Sequence, residues 1–298
     1  MGAEFYKLRS MTRAETPADA SGTITLGGDL VVNRLGYGAM QLTGAGVWGE
    51  PKDPQEAQRV LRRAVELGVN FIDTADAYGP FVSELLIKKA LHPYASGLII
   101  ATKAGLTRQG PNRWTPVGRP EYLRQQVELS LRHLGLERID LLQLHRVDPQ
   151  VPLAESLGEL LSLAKEGKIR HLGLSEVSVA QLDAALEIAP IVSVQNLFNL
   201  TNRSSEALLE HATKLGVAFI PWFPLATGAL SKPGGPLRAL AQKHNATPSQ
   251  LALAWLLRRS PAMLPIPGTS SVEHLEENMA GAMLSLTAAE VEAIGRAV

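Results

Sequence analysis

The chain has 298 residues, 45% hydrophobic and 19% charged, enough for one α/β barrel of about 250 residues or for two average domains. Lys and Arg number 29, as do Asp and Glu, so no net field draws nucleic acid or an anionic membrane. The absence of cysteine excludes disulfides, thiolate catalysis and Cys-zinc sites and fits a reducing cytoplasm, and no apolar run nears the ~18 residues of a membrane span.

The first ten residues, MGAEFYKLRS, precede a second methionine, Met11, and hold no apolar signal-peptide segment. Residues 1–10 are expected to be a cloning remnant, and MTRAETPADASG, to residue 22, a polar disordered lead-in. Residues 23–298 then form one domain. TITLGGDLVV reads as a hairpin, two short β-rich runs around Gly27-Gly28-Asp29. Eight short apolar runs follow: RLGYGAM, NFIDTA, GLIIATK, IDLLQLH, IRHLGLS, IVSVQN, VAFIPWF and MLPIPGT. They have the composition of strands buried on both faces of a parallel sheet.

Helical periodicity fills the intervals. PQEAQRVLRRAVELG places Ala57, Val60, Leu61, Ala64 and Val65 at i, i+3, i+4, i+7 and i+8, with Gly68 as a stop. RPEYLRQQVELSLRHLG, LAESLGELLSLAKEGK, SVAQLDAALEIA, SEALLEHATKLG and SVEHLEENMAGAM repeat the pattern. Between the last two strands, 231–259 predicts a loop, SKPGGP, and a split helix. Eight strands, each followed by a helix, predict a closed (β/α)8 TIM barrel. An open doubly wound sheet is the alternative, disfavoured because no G-x-G-x-x-G opens the first helix.

In such a barrel the residues after each strand converge on one mouth. The second strand ends in Asp73, with Tyr78 in its loop; the third ends in Lys103 and the fourth in His145. A free tyrosine, with a pKa of about 10, is a poor proton donor at neutral pH. A neighbouring ammonium would lower that value, and Asp73 would keep Lys103 charged. Tyr78 would then act as general acid toward an oxygen gaining negative charge, with His145 as a further donor. No metal cage or strong nucleophile accompanies them, so the electrons must come from a cofactor. Taken singly, a strand-end Asp also suits a helix N-cap, a Tyr or His suits core packing, and Lys103 could form a Schiff base.

With these residues in hand, the chain resembles the aldo-keto reductase family from about residue 22 to 298. FIDTADAY, the lysine of ATKAG and the histidine of LLQLH match that family's tetrad in identity, order and spacing. The resemblance implies Tyr78 as proton donor, Asp73 and Lys103 tuning it, and His145 orienting the carbonyl. It also implies a hairpin closing the barrel bottom and a nicotinamide cofactor, NADPH with NADH as the alternative, across the mouth. Ser175 and Gln195 match residues holding the carboxamide. Glu176 stands where the family commonly has Asn. Trp222, followed by Pro224 and Leu225, falls where an aromatic ring meets the nicotinamide. PIPGTSSVEHLEEN matches the adenosine-phosphate segment, which would assign Gly268, Thr269, Ser270, Ser271 and His274 to the phosphates and Glu277 and Asn278 to adenine. A Lys near Gly268 and an Arg near His274 are common in the family and missing here, which weakens the usual grip on a 2′-phosphate.

The first loop and the phosphate segment look like the branch containing bacterial pyridoxal reductases. The implied substrate wall is Met40, Gln41, Trp48, Tyr78 and Trp114, with Arg146 nearby, suited to pyridoxal or another aromatic aldehyde. Both tryptophans could instead merely pin their loops. A cofactor-sensing regulatory barrel and a Schiff-base aldolase on Lys103 are the other two readings.

Overall fold

A computed structural model describes residues 16–226 and 237–297. The barrel wall is a parallel sheet of seven strands: β3 (Tyr37–Gly38), β4 (Phe71–Asp73), β5 (Ile99–Ala104), β8 (Ile139–Leu144), β9 (Ile169–Ser175), β10 (Ile191–Leu197) and β11 (Ala218–Trp222), in that spatial order. The eighth run forms no ladder strand. Pro265 and Pro267 lack the N–H groups a ladder requires, so closure uses two hydrogen bonds on either side. Phe219 donates its N–H to Ala262 O (2.8 Å) and accepts from Leu264 N (2.9 Å), while Gly36 N–H reaches Pro265 O (3.0 Å) and Gly38 N–H reaches Pro267 O (3.4 Å). This seam is tight. A Cβ on Gly38 would sit 2.7 Å from Ile266 O, and one on Gly268 2.6 Å from Gly38 O.

The hairpin β1 (Thr23–Leu26) and β2 (Leu30–Asn33) is antiparallel, turning through Gly27 and Gly28 at positive φ. Leu26, Leu30 and Val32 enter the barrel interior with Phe71, Ile99, Ala101, Leu141, Ile220 and Leu264, plugging its lower end. Asp29, in the turn, receives Arg170 (2.7 Å) and meets His171 Nε2 (2.6 Å) at the start of β9.

The expected disordered lead-in is corrected from residue 16 onward. Ala18 is fully buried, its N–H bonds Leu67 O (3.0 Å), and Asn33 Nδ2 reaches Asp19 Oδ1 (2.9 Å) and Gly68 O (2.8 Å). One small apolar residue and its polar neighbours suffice to dock the segment, a long-range contact that local composition does not reveal. Residues 1–15 lie outside the described residues.

The helices ring the sheet: α1 (Pro54–Glu66), α2 (Val82–Leu91), α3 (Pro120–Leu134), α4 (Leu153–Lys165), α5 (Val179–Leu186) and α6 (Glu206–Leu215). The expected split helix is α7 (Arg238–Lys243) followed by α8 (Pro248–Arg259); the SKPGGP loop lies outside the described residues. Then come α9 (Val272–Ala280) and α10 (Ala288–Arg296). Caps mark several starts: Asp53 accepts from Gln55 and Glu56 N–H, and Ser178 with Gln181 forms a capping box. After β5 the chain makes a second hairpin, β6 (Leu106–Arg108) with β7 (Trp114–Pro116), over the mouth. Among the described residues no helix is long and apolar enough to cross a membrane.

Arg34 ties the seam to the helical shell. Its guanidinium donates to Met263 O (3.2 Å) and to Leu257 O (2.7 Å) and Ser260 O (2.5 Å) at the end of α8. Carbonyls at a helix C-terminus carry partial negative charge, which favours a cation there. Arg34→Met is expected to cost about 2–3 kcal/mol, lowering the thermal midpoint by roughly 3–5 °C for a chain of this size. A circular dichroism melt unchanged within a degree would show that the three bonds carry no stability.

Candidate active site

Each ionisable group reaches the mouth by a short route from the sheet. Asp73 is the last residue of β4, paired with Ala101 of β5. The chain then stays bonded to β5, with Thr74 N–H on Ala101 O (2.8 Å) and Asp76 N–H on Lys103 O (3.2 Å), before a turn from Ala75 O to Tyr78 N–H (3.1 Å) brings the phenol back over the strand ends. Lys103 lies opposite Gln143 of β8, and His145 follows that strand.

Lys103 is completely buried, and its three ammonium protons are all engaged: with Asp73 Oδ1 (2.5 Å), Thr74 O (2.8 Å) and Tyr78 Oη (3.3 Å). Asp73 Oδ2 accepts from Gln143 Nε2 (2.9 Å) and Gln195 Nε2 (3.0 Å). Burial disfavours the ammonium, yet the charge of Asp73 and the hydrogen bonds to Asp73 and Tyr78 outweigh it and hold Lys103 above its ordinary pKa. A lysine kept protonated is unsuited to forming a Schiff base.

The expected lowering of the Tyr78 pKa is corrected. Burial is the largest influence and raises it; Lys103 pulls the other way but does not win, and the phenol is less acidic than a free tyrosine. Tyr78 therefore holds its proton throughout the neutral range, while its oxygen accepts from Lys103. Burial, reinforced by the charges of Lys103, Arg146 and Arg108, holds His145 well below the usual imidazole range. It is neutral, with one N–H to donate.

The rings of Tyr78, His145 and Trp114 close one corner of the mouth. Their centroids are 5.9 Å (Tyr78–His145), 6.4 Å (Tyr78–Trp114) and 6.5 Å (Trp114–His145) apart, each pair edge to face. Trp114 is therefore beside the two donors. Trp48 is more than a third exposed, its backbone bridged to Gly79. Met40 and Gln41 lie in a 3-10 turn after β3, and Gln41 is beside Gly268 rather than at the ring corner. Arg146 donates to its neighbour His145 O (2.7 Å) and to Ser175 Oγ (3.0 Å).

The residues matched to the carboxamide have partners within the chain. Ser175 ends β9, its hydroxyl proton still available to a ligand. Gln195 spends its amide protons on Asp73 and on Gln143 Oε1 (3.2 Å), leaving its carbonyl oxygen as the group that can accept. Glu176 Oε1 takes Leu197 N–H (2.7 Å) and Trp222 Nε1–H (2.5 Å), so it fixes the indole. Pro224 is buried and Leu225 packs against the core.

Across the seam, Thr269 O accepts from Tyr37 Oη (2.6 Å), Ser271 caps α9 through His274 N–H (3.4 Å), and Asn278 is buried while Ser270 and His274 are exposed. Val272 N–H at this helix start donates to a carboxylate oxygen of Glu56 (3.3 Å). The N-terminus thus already attracts an anionic oxygen, as a phosphate-holding turn must. A hydroxyl and an amide carbonyl on neighbouring strands, an indole held by Glu176, and a helix N-terminus fit a nicotinamide dinucleotide.

Two features went unseen in the sequence reading. Gln143, a polar residue within the apolar run IDLLQL, holds Asp73; its position in that run is the signal that could have found it. Asp76 and Glu84 are both buried behind the site. Glu84 accepts from Thr102 Oγ1 (2.7 Å), whereas neither carboxylate oxygen of Asp76 meets hydrogen-bond geometry with a described group. Burial, then the charge of Glu84, pushes Asp76 well above the carboxylate range, only partly offset by the Ala77 N–H and Lys103.

A (β/α)8 barrel with a charged lysine, a protonated phenol and a neutral imidazole at one corner defines a class: an enzyme that polarises a carbonyl. The sequence model of the Aldo/keto reductase family matches residues 34–298, and the chain belongs to this family of oxidoreductases. It is 55% identical over 280 residues to an oxidoreductase of Schizosaccharomyces pombe described as uncharacterized, covering 93% of this chain and 91% of the relative. To the pyridoxine 4-dehydrogenase of Escherichia coli it is 45% identical over 274 residues, covering 90% and 95%. An aldo/keto reductase of Klebsiella pneumoniae, solved with NADP and acetate, has the same fold at a TM-score of 0.78 and 25% identity, over 92% of this chain and 94% of that one.

Asp76 generates a pH-dependent prediction. Its folded pKa lies above the unfolded value of about 3.9, so its contribution to stability is full below that value and is lost as pH rises toward the folded pKa. Asp76→Asn removes this loss. The stabilisation relative to wild type should therefore grow in thermal melts as pH rises from about 4 toward the folded pKa, and level off above it; a difference that shrinks with pH would contradict the assignment.

Proposed function

We propose that the chain is an NADPH-dependent reductase of aldehydes or ketones in which Tyr78 protonates the carbonyl oxygen, with pyridoxal or another aromatic aldehyde as substrate. The observation that carries this reading is the pairing of Tyr78 with Lys103, charged and aimed by Asp73, beside a neutral His145. Two donors, the phenol O–H and the imidazole N–H, meet at a corner where negative charge on an oxygen would be stabilised.

The nicotinamide, when bound, supplies hydride to the carbonyl carbon. The chain does the rest. The carbonyl oxygen takes a hydrogen bond from Tyr78 and, on its other side, from His145. As charge builds there, the phenol proton transfers and the nascent phenolate is stabilised by the ammonium 3.3 Å away. An alkoxide is far more basic than a phenolate, so even a phenol made less acidic by burial gives up its proton to it. The burial of Tyr78 and His145 also keeps bulk water from this corner, which strengthens each of these interactions.

Support for the cofactor comes from the Klebsiella relative's NADP complex and from the helix N-terminus at Val272. The segment from Pro265 to Asn278 has no Lys or Arg, so hydrogen bonds must grip a 2′-phosphate with less help from charge, and NADH is the second cofactor to test. Support for the substrate class comes from Trp114 beside both donors and from the pyridoxine dehydrogenase relative.

Tyr78→Phe is expected to lower kcat/KM with pyridoxal by about 10²–10⁴-fold, while NADPH affinity, read by quenching of protein fluorescence, stays within about twofold. Turnover at the wild-type rate would remove Tyr78 from the acid role. Binding of NADPH without turnover of any aldehyde by the wild type would favour a sensing role.

A further inference from the structure

Arg108, in β6, has appeared above only as one of the charges near His145, yet its side chain is heavily tied to the rim. Its guanidinium lies 3.5 Å over the centroid of the Trp114 ring and 5.5 Å from that of Trp48. Each of its five N–H groups has an acceptor. Nη1 donates to Val47 O (2.6 Å) and Ala77 O (2.8 Å), Nη2 to Gly46 O (2.9 Å) and Gly110 O (3.2 Å), and Nε to Arg113 O (3.1 Å). These carbonyls belong to three segments: the loop after β3, the loop after β4 one residue before Tyr78, and the β6–β7 turn. Among the described residues no carboxylate forms an ion pair with it. The charge is placed among backbone dipoles and indole faces.

We infer that Arg108 is the positioning residue that selects flat aromatic and heteroaromatic aldehydes over short aliphatic ones. It does so by fixing the plane of Trp114 against Tyr78 and His145. The inference rests on the reductase reading and names the specificity device of the same site. A carbonyl oxygen that reaches both donors brings its substituent past Trp114. With one face of the indole stacked on the guanidinium, the remaining side is presented as a rigid wall, and a flat ring gains stacking contact that a short alkyl chain cannot. Rigidity matters because a wall that must first be ordered gives back part of that gain. Only arginine suits the position, since lysine has three donors and no plane to stack.

The test compares wild type, Arg108→Lys and Arg108→Met on 4-nitrobenzaldehyde, pyridoxal and propanal with NADPH. The ratio of kcat/KM for either aromatic aldehyde to that for propanal should fall about tenfold in both variants, through KM more than kcat. Lysine should not rescue it. Acrylamide quenching of tryptophan fluorescence, which needs no turnover, should increase as Trp48 and Trp114 lose their stacked cation. Greater quenching with an unchanged ratio would mean that Arg108 only fastens loops, and would overturn the inference. An equal loss on all three substrates would overturn it too, by pointing to general damage. If the wild type reduces none of the three, the reductase reading fails and this inference with it, an outcome visible before any substitution is made.

Discussion

The buried ion pair between Asp73 and Lys103 is the constraint around which the barrel mouth is arranged. An ammonium with no exposure to water would shed its proton or resist folding unless every N–H found a partner and a counter-charge lay in contact. Here the three protons go to Asp73, Thr74 O and Tyr78, and the second oxygen of Asp73 is satisfied by two glutamines. The pieces come from β4, β5, β8 and β10. A one-residue slip in any of these strands would turn its side chain from the barrel interior to the helical layer, so the ion pair demands the register that the sheet adopts. Gly173 of β9 helps to meet this demand. A Cβ there would lie 2.3 Å from Ser193 Oγ and 3.0 Å from Gln143 Cγ, and its absence leaves room for the supporting glutamine.

The pair then sets the state of its neighbours. Its ammonium is close enough to help hold His145 neutral and, in the reaction proposed above, to stabilise the charge that Tyr78 would acquire on giving up its proton. In the resting site burial dominates and the phenol stays protonated; in the proposed reaction the benefit of Lys103 would fall on the state in which charge develops. Interactions that strengthen only then accelerate chemistry, whereas those already complete in the resting site affect binding. The same logic assigns the glutamines to support, since they bond the carboxylate and not the reacting corner.

Most of the barrel was legible because its signals are local. Seven apolar runs became strands, the hairpin was marked by two glycines and an aspartate, and the ionisable tetrad stood at strand ends where the topology had to bring it together. What escaped depends on distant partners or broken periodicity. The eighth run has strand composition, but its prolines reduce it to a seam. Helix α2 carries Ser83 and Glu84 on its buried side and exposes Leu85, which blurs the pattern by which the other helices declare themselves. The hairpin over the mouth and the role of Arg108 depend on carbonyls up to 62 residues away, and no spacing rule encodes them. The acidity of Tyr78 was misjudged for a related reason: the lysine beside it could be read from the motif, while the depth of its burial could not.

Glu176 shows how one departure from a family pattern can change a residue's task while preserving the geometry. Its backbone has φ of 55°, in the left-handed region, where asparagine is far better tolerated than glutamate. That preference alone accounts for an amide being common at such a position. The strain of placing glutamate there is offset by what a longer side chain reaches: its carboxylate spans to the Leu197 N–H and the Trp222 indole, which a shorter amide would not bridge in the same way. The donor that a carboxylate cannot offer to a cofactor is given up, and a fixed aromatic face is gained. On the proposed reading, ligand recognition would thereby shift from a direct hydrogen bond toward the orientation of Trp222, with Ser175 and the carbonyl of Gln195 as the polar groups left to meet the cofactor.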